Sequence, residues 1–380
     1  MLIGVFLSVL FSCGENYTFD VFRPSNLTAS FISSYEISLS WMDNSDNETG
    51  FVIQREDENG SFQTIFTTEP DVRLYSDITV FPGNTYRYRI AAEIAEDLSD
   101  WSDTAFINVT EDLTFLNFGT DETLDVMTWN LENFPKAGYS TVNYIEEVII
   151  NTEIDIIALQ EIEEENYFEA LVDSLQGYNG FRANSAYADI NLAFVYKNEL
   201  IVNDVYEIFT DDSYAFPRSP LVIELTFDGN FIVIINNHFK AFGEPSDVAR
   251  RREAVQKIDE YIVENLPLQK VIILGDLNDD ITEPETDNVF WEFISQSSEY
   301  FFADTIIAEG PPSLWSYPGG SWSGHLDHIL ITNELFDEFE YSNSDVQTIL
   351  VNDFLYNGWS EYEAYISDHR PVAIKLKFDE

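Results

Sequence analysis

Short apolar runs that each end in a cluster of polar or charged residues constrain this chain more than any other feature. Beyond Thr123 such runs occur at Leu124-Asp125-Val126-Met127-Thr128-Trp129, Ile154-Asp155-Ile156-Ile157-Ala158-Leu159, Leu192-Ala193-Phe194-Val195-Tyr196, Phe231-Ile232-Val233-Ile234-Ile235 and Lys270-Val271-Ile272-Ile273-Leu274. Their length and their content of β-branched residues predict buried strands. Between several of them the spacing becomes helical. Val248, Val255, Ile258, Ile262 and Leu266 recur at helical intervals and predict a helix over residues 247–266. Strands alternating with helices predict an α/β fold built in layers.

The chemistry lies just past the end of each strand. The first run leads to Asn130, the second to Gln160-Glu161, the fourth to Asn236-Asn237-His238 and the fifth to Gly275-Asp276-Leu277-Asn278. Later come His325-Leu326-Asp327-His328 and Ser367-Asp368-His369-Arg370-Pro371. One edge of a sheet layer brings such strand ends into a single cleft. All four histidines of the chain fall in these segments, a coincidence that packing needs alone do not produce. Oxygen and amide ligands of this kind suit Mg²⁺, with Mn²⁺ or Ca²⁺ as alternatives. The chain has one cysteine, so an intramolecular disulfide and a cysteine-rich zinc site are both excluded. In Asp276-x-Asn278, alternate residues of an extended segment share a side, so the carboxylate can accept a proton from water while the amide orients it.

Charge narrows the partners. Asp and Glu number 69 against 18 Lys and Arg, a formal net charge of −51, which excludes a basic grip on nucleic acid and disfavours anionic substrates. At seawater-like ionic strength the Debye length falls to roughly 4 Å, so most of that repulsion is screened. With 45% hydrophobic and 15% aromatic residues the chain buries real cores, and its 380 residues predict two or three domains. Local charge runs the other way: Arg218, Lys240 and the triplet Arg250-Arg251-Arg252 flank the His238 segment. A helix opening at Pro245-Ser246-Asp247 sends at most one or two of the three arginines toward a cleft and leaves the rest to pair with nearby acids.

Residues 1–13 form an apolar run too short to span a bilayer and read as an export segment. Leu10-Phe11-Ser12-Cys13 resembles the lipobox of bacterial lipoproteins, although no basic residue precedes it. That resemblance implies acylation at Cys13, a membrane-anchored form and an exported, outer-membrane or cell-surface location, with secretion as the alternative. Residues 23–112 carry short strand-like runs separated by polar turns such as Asp43-Asn44-Ser45-Asp46-Asn47, which predicts an all-β immunoglobulin-like sandwich. Within it, Val80-Phe81-Pro82-Gly83-Asn84-Thr85-Tyr86 resembles the turn and tyrosine corner of a fibronectin type III domain, with Trp41 in the core position. Residues 113–122 are polar and acidic and read as a linker.

Together, the six clusters resemble those of the endonuclease/exonuclease/phosphatase superfamily, in the family's order, over residues 123–380. The superfamily includes pancreatic-type deoxyribonucleases, abasic-site endonucleases, bacterial sphingomyelinases and inositol-polyphosphate 5-phosphatases. The resemblance implies a four-layer α/β sandwich with two facing sheets, and metal-dependent cleavage of a phosphoester by in-line attack of water. It implies metal-side roles for Asn130, Glu161 and Asp368, and contact of His238 with the scissile phosphate. It makes Asp276 and Asn278 the water-activating acid and its orienting amide, and pairs Asp327 with His369, whose imidazolium would stabilise charge on the phosphate oxygens or protonate the leaving oxygen. It also places Arg218 near substrate phosphate and Asp189 behind His238; Lys240 joins Arg218 on the grounds of local charge. Each residue has a structural alternative: a turn cap for Asn130, a solvated helix start for Glu161, a turn residue for Asp276 and a strand-end ion pair for Arg218. His325 and His328 read as structural or rim residues.

Three functions are expected, in order. The first is an exported endonuclease acting on extracellular DNA, with RNA second, as a monomer without an obligate protein partner. The next is a phosphatase or sphingomyelinase-like phosphodiesterase, for which Trp315-Ser316-Tyr317-Pro318-Gly319-Gly320-Ser321-Trp322 is the only candidate membrane hairpin. The last is a non-catalytic adhesion protein using the β-module.

Overall fold

The computed structural model describes residues 22–33, 36–57, 59–80, 84–94, 97–109, 113–186, 190–319 and 323–378, so Cys13 and Asp189 lie outside the described residues. The chain divides into two compact units, residues 1–110 and 111–380.

The first unit is all-β. One sheet joins β1 (Ser25–Ser33), β2 (Glu36–Met42) and β5 (Leu74–Asp77). The other runs from β4 (Phe62–Thr67) through β3 (Gly50–Glu56) and β6 (Asn84–Ile94) to β7 (Asp97–Leu98), with β8 (Ala105–Val109) also on β6. Period-two alternation sends Ile37, Leu39 and Trp41 inward, where they meet Phe51, Ile53, Tyr88 and Ile90. Trp41 packs edge-on against Phe51 at 5.6 Å between ring centres, as its place in the sequence predicts. Tyr86 is half-buried; the tyrosine fully inside is Tyr88, whose hydroxyl donates to Asp77 at 2.8 Å. Residues 81–83 of the expected corner lie outside the described residues.

The second unit stacks two six-stranded sheets. The first sheet has the order β11 (Tyr178–Arg182), β12 (Asn191–Lys197), β10 (Ile156–Ile162), β9 (Thr123–Phe134), β20 (Val372–Lys377), β19 (Asp345–Thr348). The second has the order β13 (Ile201–Glu207), β14 (Leu221–Phe227), β15 (Asn230–His238), β16 (Lys270–Asp276), β18 (Asp327–Thr332), β17 (Tyr300–Phe302). Each strand sorts its side chains by parity. Leu124 and Val126 of β9, Ile156 and Ala158 of β10, Ile234 of β15, Ile272 and Leu274 of β16 and Ile329 of β18 fill the space between the sheets. Met127, Trp129, Ile157 and Leu159 face the other way, onto α1 (Tyr139–Thr152), α2 (Glu165–Ser174) and α7 (Trp359–Tyr365). Val233, Ile235, Val271 and Ile273 face α3 (Pro245–Asn265) and α4 (Trp291–Ser295). The result is the expected four-layer arrangement. Full burial of each such side chain contributes about 1.5–3 kcal/mol.

The structure corrects one boundary. Residues 113–122 are no free linker: Leu113, Leu116 and Phe118 are buried in the core beneath α1, and Gly119 packs against the Glu153 carbonyl. Four of the first six residues of the run, Leu113, Phe115, Leu116 and Phe118, are large and apolar, and its acidic character is confined to Asp121 and Glu122; Leu113, Leu116 and Phe118 dock in the core. No described helix is long and apolar enough to cross a membrane.

Candidate active site

Strand parity and register assemble the site. On β9 the inter-sheet side chains run Leu124, Val126, Thr128 and then Asn130. On β15 the same face ends in His238, on β16 in Asp276, and on β18 it begins with Asp327. In register, His238 pairs with Asp276 and Asp276 with Asp327, so three chemically active side chains stand in a row across three neighbouring strands. Gly275 makes this possible. Its φ is +138°, and a Cβ there would meet the Asn237 carbonyl oxygen at 1.9 Å.

Glu161 needs a different device. By simple alternation it would follow Ile157 and Leu159 to the helix side. Opposite β12 a register shift between Leu159 and Ile162 gives β10 one extra residue, and with Glu161 at φ +60° it re-aims the carboxylate toward the cleft. His369 arrives just before β20 and is fixed by its backbone. Its carbonyl accepts from the Trp129 indole at 3.1 Å and the Tyr362 hydroxyl at 2.6 Å, while its N–H donates to Ser367 Oγ at 2.9 Å. Ser367 in turn donates to the Asn130 carbonyl at 2.6 Å, which ties the His369 loop to β9.

These residues converge. Asn130 Nδ2 donates to Asp276 Oδ2 at 2.9 Å and to Glu161 Oε1 at 3.2 Å. His238 Nε2 lies 3.5 Å from Asp276 Oδ2 and 3.8 Å from Glu161 Oε1. His369 Nδ1 holds Asp327 Oδ2 at 2.7 Å, and its Nε2 is 4.0 Å from Asp276 and 3.9 Å from Asp368. All line one cleft of about 1440 Å³ except Asn130 and Asp327, which stand directly behind it.

Burial sets the protonation. It works against a charged His369, but Asp327 and Asp276 outweigh it and hold the imidazolium, pushing its pKa up to about 10. The Asp276 carboxyl is pushed up by burial to about 7, against the pull of His369. Asp368 rises to about 6 through burial, opposed by His369 and reinforced by Glu132 and Glu161. His238 goes the other way: burial, then Arg218 and His369, hold it neutral. Its buried Nδ1 has no hydrogen-bond partner among the described residues. A neutral histidine beside an imidazolium and two carboxylates divides the site into a proton-holding side and a cation-attracting side.

Several residues take places the sequence did not predict. Asn278 does not continue an extended segment; β16 ends at Asp276, and Asn278 adopts φ +56° so that its N–H caps Asp276 Oδ1 at 3.1 Å. Its amide then reaches the Phe239 carbonyl at 3.3 Å on the cleft wall. Asn130 lies among the metal-side acids, yet its amide nitrogen bridges two carboxylates and its oxygen accepts the Glu132 N–H at 2.9 Å, so it orients the donors here instead of being one. Lys240 lines the cleft but bonds the Ala241 carbonyl at 2.9 Å and pairs with Asp247 at 3.3 Å, so it is not poised for phosphate.

All three arginines of the triplet line the cleft, where one or two were expected, but their donors are taken up within the protein. Arg251 holds Asp279 at 2.8 Å and two loop carbonyls, while Arg250 and Arg252 bond backbone carbonyls of the 213–214 and 286–288 segments, where nearby acids were expected. Arg218 is different: half-buried on the cleft wall, its one side-chain hydrogen bond among the described residues is a 3.5 Å contact to the Phe239 carbonyl, and it sits in the field of Glu161 and Asp276.

His325 and His328 are structural, and deeply buried instead of at the rim. Parity explains this: His328 shares its face with Leu330, away from Asp327. Its Nδ1 meets Asp304 at 2.6 Å and its Nε2 meets the Asp279 carbonyl at 3.0 Å, so both nitrogens donate. Burial opposes that charge but Asp304 raises the pKa of His328 regardless. His325 takes the Ser316 N–H on Nδ1 at 3.2 Å and donates Nε2 to Asp304 at 3.0 Å. Sequence reasoning missed Glu132, which lines the cleft, carries φ +40° and pairs with Lys136, and took Tyr317, whose ring lies 4.9 Å from His369, only as part of a candidate membrane hairpin. Glu132 follows Asn130 by two residues, and that spacing was the one signal of it in the chain.

Two facing sheets capped by helices, with an acid, a charged His–Asp pair and a group of carboxylates at one open edge, define a phosphoester-hydrolase architecture. The chain belongs to the endonuclease/exonuclease/phosphatase family, whose model matches residues 127–369. No curated protein matches it in sequence. Among solved structures it is similar to D. rerio TDP2 complexed with single strand DNA product, at 14% identity and a TM-score of 0.54, covering 68% of this chain and 100% of that one. It is also similar to an endonuclease/exonuclease/phosphatase from Bacteroides vulgatus, at 16% identity and a TM-score of 0.50, covering 68% of this chain and 99% of that one. At such identities the likeness is one of fold.

Proposed function

We propose that this protein is an exported, divalent-metal-dependent endonuclease that hydrolyses DNA outside the cell. The observation that carries the reading is the row His238, Asp276, Asp327 across three adjacent strands, closed by His369 and faced by Glu161 and Asp368. The donor set fits a hard cation: Glu161, Asp368 and Glu132 are all carboxylates, and the upward shift of Asp368, driven by burial and reinforced by the other two, is the response of crowded like charges out of water. Glu161 and Asp368 would hold the ion, with Asn130 keeping Glu161 in place. When bound, such an ion supplies Lewis-acid polarisation of a phosphoryl oxygen.

The chain's own groups do the rest. Asp276, bridged by Asn130 and capped by the Asn278 N–H, accepts the proton of the attacking water. His369, kept charged by Asp327, offers Nε2 to the phosphate oxygen where charge accumulates. His238 takes up a proton as the phosphate binds and then donates from Nε2 to the opposite oxygen, and Arg218 anchors the flanking phosphate. Asp189 is the proposed partner of His238 Nδ1, whose buried lack of a partner among the described residues is what supports it. The family and a DNA-bound structural neighbour support nucleic acid as substrate. The export segment with acylation at Cys13, and the fibronectin type III nature of the first unit, belong to the same reading. The antiparallel order β4-β3-β6-β8 beside β1-β2-β5 supports the latter.

The test is hydrolysis of plasmid DNA, sphingomyelin and inositol phosphates by the purified protein in high salt, with and without chelator. Chelator-sensitive nicking of plasmid is the expected result. Turnover of either other substrate with DNA left intact would replace this reading by a phosphatase or phospholipase one.

A further inference from the structure

The first unit carries a group of acids that the hydrolytic site does not use. The loop between β2 and β3 holds Asp43 and Glu48, and the loop between β4 and β5 holds Asp71 at φ +60°. One carboxylate oxygen from each lies within 4.8 Å of the other two. Clusters of exposed acids are common and by themselves mean nothing. Here the central member is not exposed. Glu48 is 7% exposed, and its Oε2 is buried with no hydrogen-bond partner among the described residues, while Oε1 accepts the Asp71 N–H at 3.1 Å.

A buried carboxylate oxygen without a donor is costly, because desolvation is uncompensated. The nearby guanidinium does not relieve it: Arg73 approaches Asp43 Oδ2 only to 3.9 Å and is itself 64% exposed. Asp43, with a side chain 2% exposed, spends Oδ1 on the Ser45 N–H at 2.9 Å. Three carboxylates with one loose cation leave a strong local negative charge around an orphaned oxygen.

We infer that Asp43, Glu48 and Asp71 form a calcium site that clamps the β2–β3 loop to the β4–β5 loop. Calcium accepts oxygen ligands at about 2.3–2.6 Å in irregular geometry, which suits carboxylates drawn from two loops and spaced as these are. Magnesium demands a near-octahedral shell at about 2.0–2.1 Å and keeps most of its water, so it fits the cluster less well. The inference is independent of the hydrolytic reading, since none of these residues lines the cleft.

The experiment is equilibrium dialysis of the full chain against radioactive Ca²⁺, wild type beside Glu48→Gln, with plasmid hydrolysis measured in parallel. Wild type should bind one more equivalent of Ca²⁺ per chain than Glu48→Gln, at unchanged hydrolysis. Ca²⁺ should also raise the melting temperature of wild type by several degrees and leave that of the variant unmoved. Should Glu48→Gln fail to fold, Asp71→Asn replaces it, because Asp71 is exposed, and should weaken Ca²⁺ binding at least tenfold. Equal Ca²⁺ stoichiometry and affinity in wild type and a folded variant would overturn the site.

Discussion

His369 keeps its proton because Asp327, buried and bonded at 2.7 Å, compensates the desolvation that would otherwise expel it. Folding therefore raises its pKa to about 10 from an ordinary value near 6.5. The resulting stabilisation is complete below about 6.5 and is lost as pH rises through about 10. Asp327→Asn removes the strongest attraction favouring the charge, so the alkaline limb of kcat/KM should move to lower pH. A pH–rate profile reads this directly, and an unmoved limb would separate His369 from the reaction. Asp276→Ala and His369→Ala should each lower turnover at least about 100-fold while the protein stays folded, the usual size of acid–base contributions. Circular dichroism checks the fold, and a folded variant at full rate would remove that residue from the mechanism.

At the scale of the element, three neighbouring strands set the site and a second buried cluster braces it. Asp304 holds His325 and His328, and through them the Ser316 N–H and the Asp279 carbonyl. Ser316 Oγ in turn receives the N–H groups of Leu326 and Asp327 at 3.0 and 3.1 Å. The start of β18 is thus located by a charge pair on its far face. Removing one partner of a buried pair leaves the other uncompensated, so Asp304→Asn should cost about 3–5 kcal/mol in urea unfolding. The bulge at Glu161 and the turn at Asn278 illustrate what element-level reasoning misses. Alternation along β10 points Glu161 toward the helices, and alternation beyond β16 keeps Asn278 extended; both residues instead take positive φ and are re-aimed by local backbone.

For the whole molecule, the question is how a chain of net charge −51 holds together. Self-repulsion destabilises the compact state, so the melting temperature should rise with NaCl as screening shortens the reach of that repulsion to a few ångströms. A scan from low to molar salt checks this; a flat response would mean that the acids are already neutralised by bound cations. The second unit closes its own core, including Leu113, Leu116 and Phe118. A chain beginning at residue 111 should therefore retain hydrolysis within about twofold, whereas one beginning at residue 123 should lose stability with those three side chains, a difference visible in urea midpoints.

The layered α/β class and the polar segments that close its strands were legible in the amino-acid order, because hydrophobic periodicity is local and because strand ends announce themselves by an abrupt change to polar residues. What only the tertiary structure decided was which of those polar groups meet. His328 and Asp327 are adjacent in the chain yet face opposite sides of β18, and the arginine triplet at the cleft is taken up by backbone carbonyls and, through Arg251, by Asp279. Parity, register and the competition of unpaired carbonyls for donors are properties of strands already packed together, and no linear spacing encodes them in full.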